Sequence, residues 1–428
     1  MAGLVIDLAP LRRSRDLRLL IGGQLVSVLG TQMTGVAVSY QVYRLTRSSL
    51  DVGLVSLAML LPLVAGALAG GAAADALDRR RLMLAVTALM AACSAGLAIN
   101  AGAATSLWPL YVLPALAAGL SGFFDAALSA VIPNLVGRCD VATANAMFQA
   151  VFQLSLVAGP SAAGLLLAGT GIQLVYWIDV ASYAAAIVSV LLMTPQPPAS
   201  TPGPVRPARS ARSRRLGVRS LAEGFRFTRG RQAIQGAYLI DLNATFFGLP
   251  RALFPALAAT RFGGGASAVG FLYAAPGAGA LLGALTTGWV GRVRRQGRAV
   301  IIAVIVWGAA IAAFGVVTWL AAALALLAIA GWADVISAVL RNAIIQLSAP
   351  DAMRGRMMGL QIAVVTGGPR LGDAESGAVA AAFGDTVSAV SGGLACVAGA
   401  LVLARLLPGF RRQRAEQADG PGGTDWAL

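Results

Sequence analysis

The sequence predicts an all-α membrane protein with twelve transmembrane helices, arranged as two parallel halves of six helices each. Apolar stretches of roughly 20 to 25 residues recur along the chain, and a helix of that length crosses the ~30 Å hydrocarbon core of a bilayer. Landmarks of the first half return in the second at a constant offset of 217 residues, the distance from Gly71 to Gly288, which indicates duplication. Parallel repeats of this kind are typical of secondary transporters. The other matched landmarks are Asp51-Val52-Gly53-Leu54 with Ala268-Val269-Gly270-Phe271, and Pro133-Asn134 with Pro350-Asp351.

The predicted helices divide evenly between the two halves. Residues 1–194 form the N-terminal half, residues 232–408 the C-terminal half, and residues 409–428 a cytoplasmic tail that we expect to be disordered. Residues 195–231 hold a flexible linker rich in Pro, Arg and Ser, followed by an amphipathic helix on the inner leaflet. The predicted helices span residues 17–43, 52–74, 82–102, 108–132, 144–168, 172–193, 234–257, 268–290, 299–318, 320–341, 357–383 and 386–407.

Composition places the chain in a membrane. Hydrophobic residues make up 57% and charged residues 12% of the chain, which is too apolar for an ordinary soluble globule. The 33 basic residues are all arginine, and most of them fall in alternate connections and at the two ends. The positive-inside rule then predicts a multi-pass protein of the inner cell membrane with both termini in the cytoplasm. Because the arginines are spread over membrane-proximal loops, the net charge of +15 does not indicate a nucleic-acid partner.

Several kinds of chemistry are absent from the sequence. Without histidine, any proton coupling has to use carboxylates, because the usual near-neutral proton carrier is missing. Cys93, Cys139 and Cys396 are scattered and resemble small apolar fillers rather than metal ligands or a disulfide. No phosphate-binding loop of the G-x-x-x-x-G-K-[ST] type is present that would bind ATP. The sequence therefore predicts a protein that is not an enzyme and uses no cofactor.

A charged connection follows the second predicted helix. Gly71 lets a neighbouring helix approach closely, and Asp75 ends its own helix, where a negative charge needs a positive partner on a neighbour. Arg79 and Arg80 hold the connection at the anionic inner surface. This string resembles motif A of the major facilitator superfamily. The resemblance implies that Asp75 latches helix 2 to the start of helix 11 and stabilises an outward-open state.

Two departures from that motif are visible. The usual glycine before the basic pair is Asp78 here, a variation associated with drug and siderophore exporters of the superfamily. The counterpart in the second half, which begins at Gly288, keeps glycine and arginine but has no acid. Only the latch of the first half is therefore complete.

The fifth predicted helix contains a glycine–proline kink. Gly159 and Pro160 bend the helix, and Gly164 permits tight packing, which we expect against helix 8. Such kinks are common in membrane helices. At this place the run from Ser155 to Gly164 resembles motif C of superfamily exporters, although Ser155 and Ala163 replace glycines of the full motif. The resemblance favours export over import.

The seventh predicted helix carries a more specific resemblance. The run from Asp241 to Leu257, followed by Gly270-Phe271-Leu272-Tyr273-Ala274-Ala275-Pro276-Gly277, is similar to the enterobactin exporter family and its actinobacterial relatives. The resemblance extends over helices 1 to 11 and implies a major facilitator fold. Three other segments share it, namely Tyr40-Gln41-Val42-Tyr43-Arg44-Leu45-Thr46, Ala130-Val131-Ile132-Pro133-Asn134-Leu135 and Arg354-Gly355-Arg356.

Charged residues inside the predicted helices are candidates for the substrate and proton pathway, because a charge there costs at least ~2.5 kcal/mol on insertion scales. Asp179 is the one we expect to be structural, since helix 6 stands outside the cavity in the superfamily fold. Asp373 follows Arg370 by one helical turn, so a local ion pair is an alternative to a functional role. The candidate pathway residues are Gln24, Gln32, Asp125, Asp241, Arg251, Asp334 and Arg370.

These candidates suggest separate roles. Asp241 corresponds to the neutral Gln24 through the repeat offset, so we hypothesise that Asp241 is the carboxylate that loads and releases a proton. Arg251 and Arg370 would hold an anionic substrate, or else pair with Asp241 and Asp334. Gln24, Ser27, Thr31 and Gln32 form a polar stripe that faces either the cavity or a neighbouring helix.

Proton-driven export of a small molecule, most plausibly a siderophore, is the function that the sequence favours. A multidrug or macrolide exporter is the alternative within transport. From a different class, a non-transporting membrane receptor or scaffold would have less use for a complete latch and charged helices. The expected partners are the substrate, protons and the lipid bilayer, and we expect a monomer.

Overall fold

The computed structural model describes residues 9–103, 106–137, 140–196, 226–348 and 350–413, and these residues are almost entirely helical, with no β-strand among them. Most of the expected linker and its amphipathic helix lie outside the described residues. The long helices are α1 (Arg15–Thr46), α2 (Ser49–Ala76), α3 (Arg79–Gly102), α4 (Trp108–Leu135), α5 (Val141–Gly169), α6 (Ile172–Leu191), α7 (Gln232–Phe247), α8 (Gly265–Thr286), α9 (Gln296–Val316), α10 (Leu320–Ser348), α11 (Asp351–Phe383) and α12 (Asp385–Leu406).

Ten of the described helices are long and apolar enough to cross a membrane: α1 to α6, α8 to α10, and α12. The other two long helices fail for different reasons. α7 has only 16 residues, whereas α11 has 33 residues but carries several charged side chains. The chain is therefore an all-helical multi-pass membrane protein.

The seventh helix is interrupted, so the prediction of one continuous helix over residues 234–257 is wrong. α7 ends at Phe247, and the chain resumes as a 3-10 turn, Arg251–Leu253, followed by a short helix, Phe254–Thr260. Pro250 has no N–H for the helical ladder, and Gly248 is a weak helix former. The freed carbonyl of Gly248 instead accepts a 2.6 Å hydrogen bond from Trp307 Nε1 of α9.

Side-chain caps define where three helices of the N-terminal part begin. Ser14 accepts a hydrogen bond from Leu17 N at the start of α1, and Ser48 does the same for the start of α2. Asp78 Oδ1 accepts a 3.1 Å bond from Arg81 N at the start of α3. These caps satisfy backbone donors that a helix leaves free at its N-terminus.

The same helix pairings occur in both parts of the chain, which agrees with the repeat offset. Pairs α1–α5, α1–α6, α2–α4, α3–α4 and α3–α6 recur as α7–α11, α7–α12, α8–α10, α9–α10 and α9–α12. The helices before residue 197 meet those after residue 225 mainly through α2 with α11 and α5 with α8.

The start of the expected tail is ordered, contrary to the prediction. Pro408–Arg412 forms a helical turn in which Phe410 is fully buried. Phe410 packs where Gly236 of α7 and Gly297 of α9 leave space, and Gln232 Oε1 accepts a 2.7 Å bond from Gly409 N. A buried aromatic side chain stabilises the segment that carries it. The composition of the tail did not indicate this contact.

Candidate functional site

Three charged side chains from α7 and α10 meet in the C-terminal part of the chain. Arg341 Nη2 lies 2.7 Å from Oδ1 of Asp241 and 3.9 Å from Oδ1 of Asp334. The side chains of Arg341 and Asp241 are each 4% exposed, whereas that of Asp334 is 42% exposed. Arg341 Nη1 also donates a 2.7 Å hydrogen bond to Ser337 Oγ, one turn back along α10. One cation therefore serves two carboxylates, so the cluster has one negative charge in excess when both are ionised.

The partner of Asp241 is not an arginine that sequence reasoning had placed in the pathway. Pairing with Arg251 or Arg370 was the alternative to their role in substrate binding, whereas Arg341 is the residue that contacts both carboxylates. Arg341 follows Asp334 by two helical turns, so both lie on one face of α10. That spacing was readable in the sequence, but it did not reveal that α7 packs against the same face.

Arg251 and Arg370 instead surround a different carboxylate, Asp373 of α11. Both guanidinium groups act electrostatically on Asp373, yet no ion pair within 4 Å joins either of them to it. Asp373 Oδ2 accepts a 2.7 Å hydrogen bond from Ser56 Oγ of α2, while its buried Oδ1 has no partner among the described residues. Arg370 Nη1 donates to its own helix, at Thr366 O. Asp373 therefore links α11 to α2 and does not form the local pair with Arg370 that was one of the two alternatives.

Two carboxylates within N-terminal helices, Asp179 and Asp125, have opposite surroundings. Asp179 of α6 is buried and accepts hydrogen bonds from the hydroxyls of Thr34, Ser94 and Ser182, at 2.8, 2.7 and 3.2 Å. These donors come from α1, α3 and α6, so Asp179 ties three helices together, as its peripheral position suggested. Asp125 of α4 is exposed and forms no ion pair with a described side chain.

The polar stripe of α1 splits between packing and exposure. Thr31 Oγ1 lies 2.9 Å from the Tyr183 hydroxyl of α6 and donates to Ser27 O, so this part of the stripe joins helices. Gln24 and Gln32 are half-buried. The stripe therefore includes the helix contacts that were the alternative to a cavity lining.

Glycines of α5 bring its backbone against two neighbours. A Cβ on Gly159 would lie 2.6 Å from Gln32 Cβ of α1, and a Cβ on Gly164 would lie 2.8 Å from Gly270 Cα of α8. Pro160 O also borders the space that a Gly270 side chain would need. Any side chain at these glycines would force the helices apart, so the backbones of α5 and α8 pack directly on each other.

The charged connection between α2 and α3 is formed mainly by helix caps. Arg80 Nε donates a 2.9 Å bond to Val190 O at the end of α6, and Arg79 Nε donates to Ala74 O near the end of α2. Arg79 is buried, whereas Asp75 is exposed. Asp75 forms no ion pair with a described side chain, so the latch contact implied by motif A is not among the described interactions.

Within the described residues, the close contacts between α2 and α11 lie near the start of α2. Near the start of α2, Gly53 lies against the backbone of Asp373, Gly377 of α11 lies against Ser49 O, and Ser49 Oγ donates a 2.7 Å bond to Asp385 Oδ1. Near its other end, no described atom lies within 4 Å of the place where a Cβ on Gly71 would stand. The interface is therefore in close contact at the Gly53 end, whereas no such contact involves a described atom at Gly71.

The chain has relatives among known membrane proteins. It matches the model of a family described as transmembrane secretion effector over residues 6–419. It is 30% identical over 416 residues to the enterobactin exporters EntS of Shigella boydii serotype 18 and of Escherichia fergusonii, and each alignment covers 96% of this chain and 96% of the relative.

Solved structures with the same fold are transporters. A POT family transporter in complex with 5-aminolevulinic acid is similar at a TM-score of 0.74 and 12% identity, over 93% of this chain and 97% of that chain. The nucleoside transporter NupG is similar at a TM-score of 0.71 and 14% identity, over 93% of this chain and 100% of that chain. At these identities the likeness concerns the fold alone. Within the described residues, no three His, Cys, Asp or Glu side chains are grouped as metal ligands.

Proposed function

Because the chain belongs to the transmembrane secretion effector family of the major facilitator superfamily, and is a secondary transporter that exports a small molecule rather than an enzyme, we propose that it exports a siderophore in exchange for protons. The siderophore is argued from the 30% identity to enterobactin exporters. Proton exchange is argued from one observation, the cluster of Asp241, Arg341 and Asp334 between α7 and α10. With no histidine in the chain, carboxylates inside helices are the proton carriers that remain, and this cluster contains two of them.

Transport proceeds by alternating access between two six-helix halves with twelve membrane crossings in all. The interrupted seventh helix and α11 supply the two crossings beyond the ten apolar ones. Both termini lie in the cytoplasm, so the Gly53 end of α2 faces outward and the Gly71 end faces inward. The close contact at Gly53, and the lack of one with a described atom at Gly71, support a state open to the cytoplasm, ready to load its substrate.

The remaining candidate residues divide between substrate binding and motion. Arg251 and Arg370 hold acidic oxygens of the substrate, because planar guanidinium groups pair well with catecholate or carboxylate. Gln24, Gln32 and Asp125 line the pathway in the N-terminal half. The latch residues are Gly71, Asp75, Arg79 and Arg80, which engage when the inward opening closes, and the pivot residues of α5 are Gly159, Pro160 and Gly164.

Export of cationic amphipathic drugs is the second candidate. It is favoured by Asp125, an exposed carboxylate on α4 with no ion-pair partner among the described side chains. A free carboxylate in a largely apolar pathway attracts an organic cation, whereas a catecholate would be repelled by it. Asp125 is therefore the residue on which the two substrate classes differ.

Uptake into inside-out membrane vesicles separates these candidates. An imposed pH gradient should drive uptake of an iron-free catecholate siderophore, and a protonophore should abolish that uptake. Uptake of a cationic dye alone would favour drug export, and uptake that survives the protonophore would contradict proton exchange. Vesicles without the protein provide the background for both compounds.

A further inference from the structure

We propose that Asp334 is the proton-exchanging carboxylate of the cluster, and that Asp241 is the fixed counterion that holds Arg341 in place. This assignment rests on the proposed function, since it presumes that protons drive export. It differs from the sequence-based hypothesis, which gave the exchanging role to Asp241. The two aspartates share one arginine, and the structure gives them unequal positions around it.

The first difference between the two aspartates is their distance from Arg341. Arg341 Nη2 stands 2.7 Å from Asp241 Oδ1, which is the separation of a direct ion pair. The same nitrogen stands 3.9 Å from Asp334 Oδ1, near the limit of such contacts. Arg341 Nη1 is bonded to Ser337, so the guanidinium is held by Asp241 on α7 and by its own helix, and Asp334 completes the group from further away.

The second difference between the two aspartates is the exposed fraction of the side chain. The side chains of Asp241 and Arg341 are each 4% exposed, so neither exchanges a proton without the helices moving. The Asp334 side chain is 42% exposed at the same time. Protonation of Asp334 therefore does not require the Asp241–Arg341 pair to separate, and that pair remains buried and neutral as a whole.

Charge decides which aspartate can tolerate protonation. Neutralising Asp241 would remove the direct partner of Arg341 and leave the buried cation with only the carboxylate 3.9 Å away, and a poorly paired buried charge disfavours the folded protein. Neutralising Asp334 leaves the direct pair intact and removes the one negative charge in excess. The cluster then alternates between a net charge of zero and minus one without breaking its close contact.

The charged surroundings of Asp334 are few. Arg341 lies on its own helix, Asp241 on α7, and Arg251 in the turn that follows α7. The helix α8 carries no charged residue, and the hydroxyl of its Tyr273 donates to Arg251 O. In α9 the charged residue is Arg298, which is exposed in the first turn. Each proton taken up by Asp334 therefore changes the field at Arg251, one of the two proposed substrate ligands.

Transport experiments separate the two aspartates. In proteoliposomes, Asp334→Asn should lose pH-gradient-driven uptake of iron-free enterobactin by about tenfold or more, yet retain exchange of internal for external siderophore, which needs no proton. Asp140→Asn, which alters a half-buried carboxylate that precedes α5 and lies 3.8 Å from Arg13, is the matched control and should keep both activities. Gradient-driven uptake that persists in Asp334→Asn, together with its selective loss in Asp241→Asn, would overturn the assignment.

Thermal unfolding tests the fixed pair without reference to any substrate. Asp241→Asn should lower the melting temperature of the purified protein by several degrees, and the second change Arg341→Gln should restore much of that loss, because it removes the unpaired charge. Asp334→Asn should melt close to the unaltered protein. A larger loss for Asp334→Asn than for Asp241→Asn would refute the fixed pair, even if enterobactin proved not to be transported.

Discussion

The helices α1 and α7 occupy equivalent places in the repeated packing, yet only α1 is continuous. α1 runs for 32 residues, whereas α7 stops after 16 and resumes beyond Pro250. Through the repeat offset, Thr34 of α1 corresponds to Arg251 in the interruption, and Asp179 of α6 corresponds to Cys396 of α12. The N-terminal part thus has a carboxylate surrounded by hydroxyls between α1 and α6. The equivalent place in the C-terminal part has an interrupted helix and an arginine.

We call the N-terminal helices around Asp179 the frame, because their buried carboxylate joins helices. We call the ionic groups of the C-terminal helices the working parts, because these are the groups that we propose to act in transport. Within the described spans, the N-terminal helices bury one carboxylate, Asp179, and satisfy it with neutral donors from three helices. The C-terminal helices bring together ionic groups, which pair directly at Arg341 and act on each other over a longer distance around Asp373. The two parts of the chain have the same helix pairings, and within the described residues the buried ion pair lies in the part whose equivalent helix is interrupted.

The largest expected effect comes from removing the shared cation of the C-terminal part. Arg341→Gln leaves Asp241 buried without its counterion, which should destabilise the protein by roughly 3–5 kcal/mol and abolish export. Thermal unfolding in detergent and vesicle uptake measure the two effects. Arg405→Gln, at an exposed site in the last turn of α12, should change neither. An Arg341→Gln protein as stable as the original would show that the ion pair does not hold α7 to α10.

A smaller effect is expected at the interruption itself. Trp307→Phe keeps an aromatic ring but removes the donor to Gly248 O, and a buried carbonyl without a partner costs about 1–3 kcal/mol. Unfolding measurements should show this loss. Trp108→Phe, at an indole that is 65% exposed, is the control and should have almost no effect. Equal stability for both variants would mean that Trp307 does not stabilise the break.

The carboxylate of the N-terminal part should matter less than its burial suggests. Asp179→Asn keeps an acceptor oxygen for the surrounding hydroxyls and leaves no buried charge unpaired, so we expect a loss of about 1–2 kcal/mol. The pH dependence of uptake should be unchanged. A shifted pH profile would show that Asp179 exchanges protons, and the division between frame and working parts would then fail.

The smallest expected effect lies at the starts of α3 and α9, which correspond through the repeat. Asp78 caps α3 with its side chain, whereas its counterpart Arg295 makes no side-chain cap for α9. Asp78→Ala should cost about 1 kcal/mol, and Arg295→Asp should gain a similar amount, since the negative side chain suits a helix N-terminus. Opposite shifts in melting temperature would support this, and shifts of the same sign would contradict it.

Apolar length was enough to place most helices, because insertion into a bilayer depends on that length. The repeat offset then matched the helices of the first part with those of the second. These two signals failed at Pro250, where a window of apolar residues does not register that one backbone donor is missing. They failed again at Phe410, whose groove between α7 and α9 exists only after folding. Asp241 and Arg341 were both visible as charges within helices, but their pairing depends on which faces of α7 and α10 meet.

The contact between Gly164 and Gly270 joins the two halves backbone to backbone, without the side chains that usually distinguish one protein from another. Because this contact is made by backbone atoms, it does not depend on which substrate is transported. Mutations that reshape the pathway can accumulate on α4, α7 or α10 without altering this contact, so a lineage can acquire a new substrate and keep the same moving architecture.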